Sequence, residues 1–371
     1  AFAGAIAVLR RGTCALSVKV DNAAAAGALA VIIGNTSQER LVPSVPGTTI
    51  PVFGADQMQA DAIRDFVFRP PPIVSTAGIT VPLVREPNTP DVLAIANSRG
   101  PAGDLTILKP DLVAPGVEVL AATSGTQVTG SESLVGLMSG SSMATAHHAG
   151  AAALLRQAHP AWTPMEIRSA LQLTATSAVT RAAPESTGAP LFERGSGRIR
   201  LDRAVRAGLV MDETRANFLA ADPANGGQPW ALNLPSLVQS SCWRSCTFRR
   251  TFRNPTSAGI LWRATVWGMR GQVSPALAWI PPGGTQTFDI TIETGTLFAP
   301  GTATYLAGEV VFEHRVTGGG VDAFRELRVP YAVAVQPPEV TVSGPTQAVA
   351  NGAGGYTVAV NIGNVGGSVL A

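Results

Sequence analysis

The spacing of apolar and polar positions changes character along the chain. Over the first 70 residues, compact apolar runs at 5–9, 29–33 and 50–53 read as short buried strands. Between the first two, Leu16, Val20, Ala23 and Gly27 recur at helical spacing, with Lys19, Asp21 and Asn22 off that stripe. Asp56 can cap a second helix that runs to about Phe66, and Pro70-Pro71-Pro72 closes the stretch. From 75 to 125 the apolar runs are 92–96 and 117–122. The turn sequences Asn97-Ser98-Arg99-Gly100-Pro101 and Ala114-Pro115-Gly116 lie between them.

From Leu134 a strand-like run ends at Ser139-Gly140, and a small-residue helix follows to Ala158. Thr163-Pro164-Met165-Glu166 carries three helix-start signals: a capping threonine, a proline at the first position and a glutamate that completes a capping box. That helix should run to about Leu173, and a final one near 202–207 stops at Gly208. After Pro223 period two takes over. Phe288, Ile290 and Ile292 alternate with polar residues, as do Leu327, Val329, Tyr331, Val333 and Val335. Pro282-Gly283-Gly284 and Gly318-Gly319-Gly320 supply turns, so an all-β sandwich is predicted. Beyond Pro337-Pro338, Tyr356, Val358 and Val360 start a further β-like stretch.

Composition narrows the classes. The chain has 371 residues, enough for two or three domains at about 150 residues each. Charged residues are 14 % against a usual share of about 25 %, and 39 Gly and 28 Pro make the chain loop-rich without marking it as disordered. A net charge of +2 with no basic block gives no footprint for nucleic acid. The longest apolar run, at 23–33, falls short of the roughly 18 residues that a membrane-spanning helix needs. No basic n-region precedes the opening apolar run and no methionine starts the chain, so it reads as beginning inside a longer protein. Three cysteines are present. Cys14 stands alone, and Cys242 and Cys246 are candidates for a small disulfide in an exported protein, or for two reduced thiols on a strand. No second pair accompanies them to complete a zinc site.

The chemistry concentrates in Ser139-Gly140-Ser141-Ser142-Met143-Ala144-Thr145-Ala146-His147. A strand runs into a glycine turn and then a helix, which exposes a serine hydroxyl at the positive helix end and suits acyl transfer. Taken alone, Ser142 would read as a capping serine. The segment resembles the nucleophile motif of the subtilisin-like serine proteases (subtilases), Gly-Thr-Ser-Met-Ala-x-Pro-His, with Ser141 in place of Thr, Ala146 in place of Pro and His148 in place of the usual valine. Ser98-Arg99-Gly100-Pro101, the run Leu108-Lys109-Pro110-Asp111-Leu112-Val113-Ala114-Pro115-Gly116 and the stretch from Ala149-Gly150 to Thr163-Pro164 resemble the flanks of that motif. The resemblance makes Ser142 the nucleophile and lets Ser139 and Gly140 line the substrate cleft.

Resemblance also organises the rest. Residues 1–74 are similar to a truncated protease-associated (PA) domain, on Arg11-Gly12-Thr13-Cys14, Lys19-Val20, Asn22-Ala23, Ala26-Gly27-Ala28 and Val31-Ile32-Ile33. Residues 75–215 are expected to be the C-terminal half of an α/β catalytic domain, a parallel sheet with helices. Residues 225–336, entered through Asn233-Leu234-Pro235-Ser236, resemble a fibronectin-III-like sandwich, and 337–371 would start another β module. In the family the triad aspartate, the histidine and the oxyanion asparagine precede the PA insertion. They are therefore expected outside this chain, which alone should be inactive and should need that N-terminal part. His147 and His148 sit about 140° and 240° around the helix from Ser142 at 100° per residue and read as structural, as do His159 and His314. Asp111 reads as part of a structural turn. Arg244, Arg249, Arg250 and Arg253 read as a solvated face, and Trp230, Trp243, Trp262 and Trp267 as sandwich core and edge. The expected partners are protein or peptide substrates at the cell exterior, without a cofactor. Calcium enters only by family resemblance, because no acidic loop has suitable spacing. The competing expectation is a non-catalytic binding or adhesion protein built on the same modules.

Overall fold

The computed structural model describes residues 2–38, 41, 43, 45, 47–68, 89–101, 106–122, 135–181, 187–295, 305–314 and 323–335, with the backbone of four short strands between 340 and 364. Pro70-Pro71-Pro72, Gly318-Gly319-Gly320, Val358 and Val360 lie outside the described residues. The chain divides into two compact units. One comprises 1–90, 94–96 and 115–145; the other comprises 91–93, 97–114 and 146–371.

In the first unit, β1 (Ile6–Arg10), α1 (Leu16–Ala25) and β2 (Ala30–Gly34) form a β-α-β crossover, and β3 (Val52–Ala55) adds to β2. All pairings are parallel, in the order β1-β2-β3. The helical stripe seen in the sequence is the buried one: Val20 and Ala23 pack with Ala7, Ala28, Val31 and Ile33. Helix α2 (Gln57–Phe68) starts on a reciprocal cap. Asp56 accepts the Gln59 N–H at 2.7 Å, and the Gln59 carbonyl oxygen accepts the Asp56 N–H at 3.2 Å.

Strand β4 (Val92–Leu93) belongs to the second unit; β5 (Val119–Ala122) and β6 (Val135–Met138) belong to the first. β5 and β6 pair antiparallel from Val119↔Met138 to Ala122↔Val135. Helix α3 (Ser141–Ala158) follows β6 directly, and the division between units falls within it. In the second unit, α4 (Pro164–Leu173) begins on the expected capping box, with the Thr163 hydroxyl accepting the Glu166 N–H and the Glu166 carboxylate accepting the Thr163 N–H. Strand β7 (Thr180–Arg181) pairs parallel with β4, and short helices α5 (Leu191–Arg194), α6 (Leu201–Ala204) and α7 (Arg215–Ala220) follow. Of the parallel sheet expected across 75–215, the described residues show the two-residue β4–β7 pair and a single parallel bridge, Val113↔Arg198, while β5 and β6 form an antiparallel hairpin. Helix α7, capped by Thr214, was not expected. It is six residues long with no buried face, so it leaves no apolar stripe to read.

The sandwich comprises β8 (Leu237–Cys242), β9 (Arg244–Arg253), β10 (Ile260–Trp267), β11 (Arg270–Ser274), β12 (Leu277–Ile280), β13 (Thr285–Gly295), β14 (Tyr305–His314) and β15 (Glu326–Val335). Two sheets form, β12-β10-β14-β15-β8 and β11-β13-β9, antiparallel except where β8 pairs parallel with β15. Cys242 and Cys246 are disulfide-bonded at the β8–β9 junction, with Cα atoms 5.7 Å apart. Phe252, Phe288 and Phe312 pack with ring centroids 4.7–5.7 Å apart, an arrangement that adds to their burial. Leu173, Leu209 and Met211, from the helical segment ahead of the sandwich, belong to the same apolar cluster. Gly208 permits that junction: a Cβ there would stand 2.7 Å from the Trp262 ring. Beyond the sandwich, β16 (Val340–Ser343) pairs with β19 (Asn361–Asn364), and β17 (Val349–Ala350) with β18 (Tyr356–Thr357).

The arginine cluster is not one solvated face. Arg249 does lie on the exposed outer face, paired with Asp289. Arg250 is buried, because its even position in β9 points between the sheets. Burial lowers its pKa to about 10, still well above neutrality. Its guanidinium donates to the carbonyls of Leu234, Trp230, Ser236 and Arg249 at 2.9–3.1 Å. Arg253 reaches the buried Glu166 carboxylate at 2.5 and 2.6 Å.

Replacing Arg253 by Met should therefore strand a buried carboxylate and cost about 3 kcal/mol. Glu166→Gln in the same background should recover at least half of that in urea unfolding, because glutamine keeps the cap without the charge. His314 makes the sandwich sensitive to acid. Burial against Trp262 lowers its pKa below the ordinary imidazole value, so folding favours the neutral ring. Its stabilising contribution is complete above the unfolded-state pKa of about 6.5 and is lost as pH falls through the lower folded value. His314→Leu should flatten the fall in melting temperature between pH 7 and pH 5.

Candidate active site

Ser142 is the second residue of α3 and is exposed. Two residues earlier the chain leaves β6 and turns through Ser139 and Gly140. The Gly140 carbonyl accepts the N–H of Met143 at 3.1 Å and of Ala144 at 3.4 Å, closing the first helical turn. The Thr145 hydroxyl donates to the Ser141 carbonyl at 2.9 Å. A serine at this end of an 18-residue helix lies where backbone dipoles favour negative charge.

The turn is held from one side by the segment ahead of β5. Gly140 donates its N–H to the Gly116 carbonyl at 2.7 Å, and the Ser139 hydroxyl accepts the Glu118 N–H at 2.8 Å. The approach is too close for a side chain at Gly116: a Cβ there would meet the Gly140 carbonyl at 2.9 Å and the Ala144 Cβ at 3.3 Å. Ser139, Gly140 and Ser142 thus fall on one continuous strand–turn–helix segment.

No general base comes from α3. His147 and His148 lie five and six residues along the helix, about 7.5–9 Å in rise, and point away from Ser142 by the rotation already given. His159 is stacked on Trp162 with centroids 3.9 Å apart, and its Nε2 is bonded to the Val205 carbonyl at 2.8 Å. His314 belongs to the sandwich. Asp111 is equally committed. Burial opposes its ionisation, but Arg168 and Lys109, each 2.5 Å away, outweigh it and hold the carboxyl below its usual range. Gln172 adds a longer contact at 3.4 Å. Among the described residues no group of three His, Cys, Asp or Glu side chains converges as a metal site. No helix among them is long and apolar enough to cross a membrane.

Comparison with known proteins supplies the wider context. The Subtilase family profile, Peptidase S8, matches residues 9–197, just over half of the chain. Subtilisin-like protease SBT1.7 of Arabidopsis thaliana is 36% identical over 236 residues, which cover 58% of this chain and 30% of the relative. Minor extracellular protease Vpr of Bacillus subtilis is 28% identical over 249 residues, covering 67% of this chain and 30% of Vpr. Subtilisin-like protease SBT3 of Solanum lycopersicum is 38% identical over 142 residues, covering 34% of this chain and 18% of the relative. The chain spans about 30% of the length of the first two of these relatives. The match takes in the Ser142 segment and both its flanks, and on it the chain belongs to the subtilase family of serine proteases.

Proposed function

We propose that the protein hydrolyses peptide bonds through an acyl-enzyme formed on Ser142. The observation that carries this reading is the exposed serine one residue inside the N-terminus of α3, after a turn whose Ser139 and Gly140 are bonded to Glu118 and Gly116, within the matched family region. In the reaction the Ser142 oxygen attacks the carbonyl carbon of the scissile bond, and its proton passes to a base. The base returns the proton to the leaving amine, and water then cleaves the ester in the reverse sense. The base, its orienting aspartate and an oxyanion-binding asparagine come from sequence outside these 371 residues, as the family resemblance implies. The chemistry is carried by side chains and backbone dipoles, with no cofactor.

Exposed apolar surface supports that division. Leu120 and Val135 of the β5–β6 hairpin are 66% and 55% exposed, and Val117 and Met138 are exposed as well. A two-stranded hairpin is marginal by itself. We assign these side chains to contact with the N-terminal part of the catalytic domain. The first 74 residues serve as a PA domain and 225–336 as a fibronectin-III-like domain. Substrates are proteins or peptides, met at the cell exterior. An exported protein also gives the Cys242–Cys246 disulfide an oxidising setting.

The full-length protein should react with a fluorophosphonate probe at Ser142, as read by mass spectrometry of the labelled peptide. Ser142→Ala should abolish both labelling and peptide hydrolysis. The 371-residue stretch alone should label at least about 10³-fold more slowly, having lost base and oxyanion donor together. An unlabelled, folded full-length protein would overturn the assignment.

A further inference from the structure

Resting on the reading of Ser142 as nucleophile, we propose that Ser139 is a positioning residue for it, acting through the backbone of residues 116–118 rather than by contact with substrate. The β5–β6 ladder ends at Val119↔Met138. One step further, Glu118 takes φ 50°, a left-handed conformation costly for a residue with a side chain. Its N–H is turned onto the hydroxyl of Ser139, 2.8 Å away. A side chain thus replaces the backbone acceptor at the position where regular pairing stops.

The adjacent residue makes the second link, Gly140 N–H to Gly116 carbonyl at 2.7 Å. Two hydrogen bonds, from consecutive residues of the turn, land two residues apart on the opposing segment. Together they fix both the separation and the rotation of the turn. One bond alone would leave it free to pivot about that bond. The Gly140 carbonyl that starts α3 belongs to the same turn, so any pivot is passed directly to the first helical residues and to Ser142. Displacements of about 1 Å at a reacting group can cost on the order of 10²-fold in rate. The hydroxyl is already engaged as an acceptor in this role, and serine is short enough to make the bond from inside the turn.

The test uses the full-length protein and a peptide substrate, with Ser139→Ala, Ser139→Thr and Gly116→Ala. Loss of one hydrogen bond from the clamp should lower kcat about tenfold. The rate of fluorophosphonate labelling at Ser142 should fall in parallel, with KM within about twofold of the parent. Ser139→Thr keeps the acceptor and should restore most of the rate. Gly116→Ala should mimic the loss by forcing the two backbones apart. If Ser139→Ala does not fold, Ser139→Cys, a weaker acceptor of similar size, should show an intermediate loss. A raised KM with kcat and labelling unchanged would overturn the proposal in favour of substrate contact, and no change in any of these would overturn it outright. Failure of the parent protein to label would instead overturn the nucleophile assignment itself.

Discussion

The candidate site depends on one close approach between two stretches of backbone. Gly116 and Gly140 come near enough that a methyl group at Gly116 would press on the Gly140 carbonyl and on Ala144. That proximity lets the N–H of Gly140 reach across at 2.7 Å, and it sets where α3 begins. A helix start is otherwise a soft feature, since its first N–H groups lack intrahelical partners and its ends fray. Here the first turn is built on a carbonyl whose own residue is pinned from outside the helix. Ser142 takes its place from that pin, two residues upstream, and not from contacts of its own side chain.

Elsewhere the molecule relies on buried charge satisfied at long range. Glu166 serves two partners with one carboxylate: the Thr163 N–H at the start of α4, and Arg253 at the end of β9. Capping a helix with an acid at its third position is common, and the charge also suits the helix dipole. The second partner converts a local cap into a tie between the helical segment and the sandwich. The tie is consistent with the shared apolar cluster, in which Leu173 and Met211 pack with Phe248 and Trp262. Arg250 makes the complementary arrangement. It is a cation held among four carbonyl groups, so desolvation is offset by hydrogen bonds to neutral dipoles, with the Glu213 carboxylate adding an attraction without an ion-pair contact. A sandwich anchored in this way is integral to the helical segment that precedes it.

These two cases also show what a sequence can disclose. The capping box at Thr163 and Glu166 was legible because its signals lie within four residues. The Glu166–Arg253 bond was not, because 87 residues separate the partners and neither carries a local mark of the other. Arg250, expected on a solvated face, is buried, and the mismatch has a related reason. Strand alternation divides β9 into two faces, and charged residues are rarely buried, so an arginine on the inner face runs against the general rule. At the site, the strand–turn–helix pattern and the serine were legible from Ser139 to His147. The role of Gly116 looked like turn chemistry, because glycine in Ala-Pro-Gly has a sufficient local explanation. Only the opposing backbone reveals the packing reason.

The distribution of histidines bears on how the chemistry is divided. A serine at a helix N-terminus gains about 0.3–1 kcal/mol from the dipole, a factor of a few in rate. A positioned general base contributes roughly 10²–10⁴, and an oxyanion donor a comparable amount. The dipole cannot substitute for either. His159 is spent on Trp162 and the Val205 carbonyl, and His314 on the sandwich core. His147 and His148 project to other sides of the helix that carries Ser142. Taking Ser142 as the nucleophile, as proposed, what the local structure supplies is its position. Position is then what its local structure must protect. The features around Ser142 that carry a steric or conformational cost, the side-chain-free Gly116 and the left-handed Glu118, both hold the turn in place and neither polarises the hydroxyl.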